Sequence, residues 1–272
     1  MCGIAGYSLH PGSGIERTLA AQSLLAAIAE RGSDAVGYAY RSGDGPVVVH
    51  KQRTGASELL EAVAIPADAT QGLFHVRDYT KGHPSLAANN HPIRHGAIVG
   101  IHNGVIRNDE ELLSGHGIER AEPGMTVDSE AIFALVEQTP HVPAALEELY
   151  GSMATAWLDE RVPHVVSLAR GIGRPLWLGE ASGGVLFAST VDALELVERY
   201  VGVRLGKQEV SEGTLLTLED GAVTATGSFD PDRSFSEEPL PAVRAPEERR
   251  SCLERLATLT ARQAAFAPAR AR

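Results

Sequence analysis

Apolar positions open the chain. Residues 2–8 form a short hydrophobic run that reads as a strand, closed by the turn chemistry of His10-Pro11-Gly12-Ser13-Gly14. Over residues 15–30 the spacing changes to the helical period, with Leu19, Leu24, Leu25 and Ile28 on one core-facing stripe and Arg31-Gly32 as the stop. Residues 36–40 and 47–50 are strand-like, and Ser42-Gly43-Asp44-Gly45 between them is a hairpin signal. Residues 72–76 and 97–102 read as buried strands. The stretch between them is rich in His, Asn, Pro and Gly, and polar excursions of that length usually carry function. Helical patterns follow at 108–113, 128–137 and 143–149, with Val127 or Asp128 at the start of the second. Strand patterns return at 153–158, 165–168, 176–178, 185–188, 214–218 and 222–226, with one helix near 191–200. Strands, then helices, then strands without regular alternation predict a mixed, largely antiparallel α+β layered fold and disfavour a Rossmann fold. From residue 228 to 245 the chain is rich in Pro, Ser and acid, and a polar helix pattern covers 246–265. The expected organisation is one domain over 1–228 and a linker with an appended helix over 229–272.

The 272 residues, 43% hydrophobic, suffice for one sizeable core. The net charge of −11 lacks the footprint of a duplex-binding protein, so no nucleic-acid partner is expected. Two cysteines, Cys2 and Cys252, cannot build a disulfide framework or a four-thiolate zinc site, which fits a reducing cytoplasm. The first residues carry neither a basic lead-in nor a long apolar run, and no stretch approaches the ~18 apolar residues of a membrane span. The expectation is a cytoplasmic protein without a membrane partner, whose mature form starts at or beside residue 1.

Chemistry enters at the second residue. Loss of Met1 would place a thiol, with an ordinary pKa of about 8.5, and an α-amine, at about 7.7–8.0, on one residue. Such a residue is a nucleophile with its own base. Taken alone, Cys2 reads better as a small buried hydrophobe in the first strand.

Further segments change that balance: RGSDAVG at 31–37, HVRDYTKGHP at 75–84, NNHP at 89–92, HNGVIRN at 102–108 and VDSE at 127–130. With the opening MCGI, they resemble in order and spacing the glutaminase domain of class II glutamine amidotransferases, members of the N-terminal-nucleophile hydrolase superfamily. GSMATAWLD at 151–159, ARGIGRPL at 169–176 and FASTVDAL at 187–194 extend the resemblance over roughly 2–226. It implies a four-layer αββα sandwich. It also implies that Cys2 is the nucleophile and that Asn103 and Gly104, in a turn, stabilise the oxyanion. Arg77 would bind the α-carboxylate of glutamine, Asp128 its α-ammonium, and Thr80 and Gly82 the same turn on the substrate side. Arg31 would shape the floor beneath Cys2. Two positions depart from the family: Asp78 stands where an aromatic residue is usual, and Lys81 where His or a small residue is common.

Bland readings compete. His91 and His95 have a metal-pair spacing, but Pro92 and Gly96 break a helix there and no acidic ligand completes the set. Those histidines, with His75, His83 and His102, read as packing or hydrogen-bonding groups, and neither metal nor organic cofactor is expected. Isolated from their segments, Arg77 and Asp128 would pass for a surface pair. Tyr38, Trp157, Trp177 and Phe187 read as core, Cys252 as inert, and the acids around Glu237-Glu238 and the C-terminal arginines as solvated. The expected activity is hydrolysis of glutamine to glutamate and ammonia through a Cys2 thioester. The residues from 229 onward are too few for a synthase core, so the ammonia is expected to pass to a separate synthase or ligase, docked through the 229–272 tail. The rivals are an amidohydrolase for a γ-glutamyl conjugate and an inactive glutamine-binding regulator.

Overall fold

The computed structural model describes residues 2–237 and 241–266. The first half of the chain contains β1 (Gly3–Leu9), α1 (Arg17–Ile28), β2 (Ala35–Ser42), β3 (Val48–Gln52), α2 (Ala56–Leu59), β4 (Ala69–Arg77), β5 (Ile93–His95) and β6 (Ile98–Ile106). Three helices follow, α3 (Asp109–Gly115), α4 (Glu130–Gln138) and α5 (Val142–Glu147). The second half adds β7 (Gly151–Asp159), β8 (Val165–Arg170), β9 (Trp177–Ala181), β10 (Gly184–Ala188) and α6 (Val191–Val201). It ends with β11 (Gly206–Glu209), β12 (Thr214–Glu219), β13 (Ala222–Ser228) and α7 (Pro246–Phe266). The strands form two sheets, ordered β11-β9-β10-β1-β4-β2-β3 and β13-β12-β8-β7-β6-β5. Neighbouring strands in both sheets run antiparallel.

Three apolar clusters define four layers. Alternate residues of a strand face opposite ways, so β1 sends Ile4 to one side and Ala5, Tyr7 and Leu9 to the other. Ile4 meets Leu73 of β4, Val99 and Ile101 of β6 and Ala154, Ala156 and Leu158 of β7 in the layer between the sheets. Ala5, Tyr7 and Leu9 pack outward on α1, α6 and α7. On the far side, Ile98 and Ile106 of β6 and Trp157 of β7 meet Ile132, Phe133 and Val136 of α4. β1 and β4 are buried along their whole length, so β1 is apolar but for Ser8, while β4 carries Gln71, His75 and Arg77 as buried polar groups.

This is the expected αββα sandwich, with antiparallel sheets between helices. The elements expected from the pattern appear within a few residues, including the hairpin turn, where Gly45 N donates to Ser42 O at 3.1 Å. Differences have physical causes. The short β5, α2 and β11 offer too few residues for a period to register. Helix α1 is buried almost all round, not on one stripe, because its alanine-rich faces let α6 and α7 pack beside it. Helix α7 is polar on average, yet Cys252 and Leu256 are fully buried against the α1 layer. Glu237, expected to be solvated, pairs with the buried Arg174. Met1, Glu238 and the C-terminal arginines lie outside the described residues. Among the described residues no helix is long and apolar enough to cross a membrane.

Candidate active site

Strand register brings the candidate residues together. Gly3 of β1 pairs with Val76 of β4, which sets Cys2 beside Arg77 at one end of the first sheet. Cys2 lies two residues before Ile4 and continues the face that looks between the sheets. His75 and Arg77 share that face with Leu73, and on the opposing sheet Asn103 shares it with Val99 and Ile101. The alternate residues of β6 face α4, where His102 Nδ1 meets Ser129 Oγ at 2.8 Å.

Cys2 is half-buried, and its Sγ donates to the Asp78 carbonyl at 3.6 Å. Its own carbonyl accepts from Arg31 Nε at 2.8 Å, so Arg31 fixes the start of β1 from behind the cleft. Burial pushes the Cys2 thiol up, with the charge of Arg77 acting the other way. A resting thiolate is therefore not favoured, and attack by this sulfur needs a base at the moment of reaction.

Asn103 and Gly104 lie inside strand β6, where a turn was expected. The correction has a local cause. Gly104 has φ +152, and a Cβ there would sit 1.8 Å from the carbonyl oxygen of Ser152 on β7, so the strand continues past this point only as glycine. Asn103 is 0% exposed, and among the described residues neither its Oδ1 nor its Nδ2 has a hydrogen-bond partner. Unpartnered buried amides are rare, and such a donor is available to an oxygen that acquires charge nearby.

Three histidines surround the floor. His75 Nε2 is 3.1 Å from the His102 carbonyl, and the His75 and His91 rings stack with centroids 4.1 Å apart. Burial pushes His75 and His102 down to about 3, and burial with neighbouring cationic groups holds His91 far below the usual histidine range. All three are neutral at physiological pH. His75 and His102 are held by backbone and hydroxyl partners, and burial leaves all three weakly basic, so they are poorly suited as the base for Cys2.

The substrate-side loop is built on Arg77, which is 2% exposed. Its Nη1 donates to Asn90 Oδ1 at 2.5 Å, and its Nη2 to the carbonyls of Lys81 at 2.8 Å and Gly82 at 2.5 Å. Gly82 has φ +78, and a Cβ would press on the Asn89 side chain and Val127 N at 2.9 Å. Asn89 Oδ1 accepts from Thr126 N at 2.8 Å and Val127 N at 3.1 Å, joining this loop to the segment that carries Asp128. Lys81 Nζ reaches Asp109 at 2.8 Å and Glu110 at 2.9 Å, so its charge faces the α3 terminus. Asp128 is 3% exposed and its Oδ2 accepts from Ile106 N at 2.7 Å. Burial pushes its carboxyl up to about 6.

Cys2, Arg77, Thr80, Gly104 and Asp128 line one narrow cleft with Tyr79, Lys81 and His91. Gly82 braces the loop above it, Asn103 sits in the adjoining strand, and Arg31 lies behind. Arg77 and Asp128 are both buried, which removes the reading of a surface pair. Sequence reasoning gave no role to Asn89 or Asn90, and noticed Asp34 only as part of the RGSD turn beneath Cys2. Asp34 N donates to the Arg77 carbonyl at 2.9 Å, and its carboxylate accepts from Tyr79 N at 2.9 Å. The paired asparagines in a polar excursion were the available signal.

Comparison with known proteins agrees with this geometry. A glutamine amidotransferase domain family matches residues 63–196. Glutamine--fructose-6-phosphate aminotransferase (isomerizing) of Methanothermobacter thermautotrophicus is 33% identical over 235 residues, covering 79% of this chain and 37% of that protein. The Staphylococcus aureus counterpart is 32% identical over 212 residues, covering 73% of this chain and 33% of its own length. The chain thus spans little more than a third of these curated relatives. In fold it is similar to the glutamine phosphoribosylpyrophosphate amidotransferase of B. subtilis. The TM-score is 0.65 at 20% identity, over 84% of this chain and 49% of that one. Segment order, two antiparallel sheets with flanking helices, and these matches lead to one assignment: the chain carries a class II glutamine amidotransferase domain of the N-terminal-nucleophile type.

Proposed function

We propose that this domain hydrolyses the side-chain amide of glutamine with Cys2 as nucleophile. The observation that carries the reading is a thiol, a buried cation and a buried carboxylate lining one cleft, with the unpartnered amide of Asn103 in the adjoining strand. With Met1 removed, the Cys2 α-amine takes the thiol proton, directly or through a water. The sulfur attacks the amide carbon, and the oxygen that becomes negative is met by the Asn103 amide and the Gly104 N–H. The proton passes to the leaving nitrogen, the C–N bond breaks, and ammonia departs from a γ-glutamyl thioester. Water, deprotonated by the same amine, attacks the thioester and releases glutamate and the thiol. Burial makes His75, His91 and His102 too weakly basic for this role, and the α-amine is taken as the base.

Arg77 and Asp128 read the head group: the guanidinium for the α-carboxylate, the carboxylate for the α-ammonium. Thr80, on the exposed side of the cleft, supplies a hydroxyl to the same carboxylate. In this reading the ammonia goes to a synthase or ligase, because free ammonia is mostly protonated in neutral water and then not nucleophilic. A reducing cytoplasm, where both thiols stay free, suits the chemistry. The direct test is a substrate panel. Glutamine should be turned over to equimolar glutamate and ammonia, with a higher kcat/KM than γ-glutamyl conjugates. A preference for a conjugate would transfer the assignment to an amidohydrolase.

Two results are expected here. Arg77→Ala should lower kcat/KM for glutamine by the equivalent of about 1.5–3 kcal/mol, the scale of a lost charged hydrogen-bond partner. It should also lower the Tm, because Arg77 braces Asn90, Lys81 and Gly82 from a buried position. An unchanged specificity constant would remove Arg77 from the pocket. The second concerns pH. Asp128 is neutral below its value of about 6 and then cannot hold an ammonium by charge, so kcat/KM should show an acid limb near 6 in addition to the limb that protonation of the α-amine base, ordinarily at about 7.7–8.0, imposes. That profile reports the free enzyme. A limb in the ordinary carboxylate range, about 4, would detach the limb from Asp128.

A further inference from the structure

The C-terminal segment returns to the catalytic end of the molecule at two neighbouring points. The amides of Arg244 and Ala245 both donate to the Glu30 carbonyl, at 2.7 and 2.8 Å, and Arg249 pairs with the Glu30 carboxylate. Glu30 directly precedes Arg31, whose Nε holds the Cys2 carbonyl. At the second point Arg244 Nε donates to Asp78 Oδ2 at 3.0 Å. Asp78 directly follows Arg77, and its carbonyl accepts from Cys2 Sγ. Behind this strap α7 is seated firmly: Glu248 Oε1 accepts from Ser57 N at 2.6 Å, and Cys252 and Leu256 are fully buried.

We propose that residues 244–249 are an internal strap and that Arg244 is a positioning residue for glutamine binding, acting through Asp78 on the loop that carries Arg77 and Thr80. The proposal rests on the glutaminase reading of the cleft. It explains together two features that the sequence leaves separate: an acid where the family has an aromatic residue, and a tail beyond the last strand. An aromatic side chain could pack at this position, whereas an aspartate on a largely exposed loop needs a cation to hold it. The strap supplies one at a fixed place because its backbone is tied to Glu30. As an ion pair, Arg244–Asp78 is partly exposed and adds little to global stability. Positioning is different, since a displacement of 1 Å at a binding group costs about 100-fold in rate. Asp34 clasps the same loop from the other side through Tyr79 N, so loss of Arg244 loosens the loop without releasing it.

The test compares wild type with Arg244→Ala, Arg244→Lys and the exchange Asp78→Arg with Arg244→Asp. Arg244→Ala should raise KM for glutamine about tenfold, below the ~100-fold of a full misplacement, with kcat within about twofold and Tm unchanged. Arg244→Lys and the charge exchange should each recover part of the loss, and Asp78→Asn should add nothing to Arg244→Ala. Hydrogen exchange gives a second readout independent of turnover. In Arg244→Ala the amides of residues 78–83 should exchange faster, while those of β6 stay unchanged. Wild-type KM in an Arg244→Ala protein that turns over glutamine would overturn the strap and leave the glutaminase reading standing. Unchanged exchange over 78–83 would overturn it whatever the wild-type activity. Conversely, a wild type inert toward glutamine, with faster loop exchange in the variant, would support the strap and sink only the reading of the reaction.

Discussion

Cys2→Ala should abolish glutamine hydrolysis while the protein folds as before. The expected loss in kcat is on the order of 10⁶-fold, the scale of removing a covalent nucleophile when the other groups remain. The structural cost is small. Cys2 lies at the half-buried edge of the cleft, and the contacts that hold the start of β1 are made by its carbonyl with Arg31 and by the Gly3–Val76 register, all backbone features that alanine keeps. The variant should therefore keep its Tm and still bind glutamine, since Arg77 and Asp128 are untouched. Calorimetry with glutamine, beside an ammonia-release assay, separates the two effects. Activity near wild type in Cys2→Ala would dismiss the thioester mechanism, and loss of the fold would show that Cys2 matters as core.

The second large effect is at Asn103, where activity and stability should move in opposite directions. Its amide is fully buried without a partner, a condition that costs a folded protein about 1–3 kcal/mol. Leucine has the same branching at Cγ and no polar atom to desolvate. Asn103→Leu should therefore unfold at the same temperature or higher. Yet it removes a donor from the oxyanion, and kcat should fall about 10²–10³-fold, or roughly 2.7–4 kcal/mol in the barrier. KM should change little, because the interaction strengthens only when the oxygen becomes charged. A structural asparagine would show the reverse: lower Tm with kcat retained. Thermal unfolding and steady-state kinetics on this one variant distinguish them.

Much of the fold was written in periodicity. A strand buried on both faces, such as β1, is largely apolar, and helices α4 and α6 carry the 3.6-residue repeat, so most element types and their order were readable. The sandwich itself came from ordered segments resembling a known family, because a hydrophobic run does not say which strand it pairs with. What escaped reading depended on distant partners. The strand geometry at Asn103-Gly104 follows from the approach of Ser152 on β7, fifty residues away in sequence, and HNG by itself looks like a turn. A charged partner of Asp78 lies in the segment at Arg244, beyond the polar linker. Asn89 and Asn90 act by orienting backbone and guanidinium groups, a role that no spacing rule encodes. The depth of Cys252 and Leu256 was hidden because α7 buries few apolar side chains on an otherwise charged helix.

The account turns on a processed N-terminal cysteine that attacks a bound glutamine. The sharpest measurement is intact-protein and peptide mass spectrometry of active enzyme after incubation with a glutamine-mimicking diazoketone. The expected result is a chain lacking Met1 that carries one reagent adduct at Cys2, with activity lost in proportion to labelling and protection by glutamine. Active protein that retains Met1 or has a blocked terminus, or inactivation without an adduct at Cys2, would contradict it.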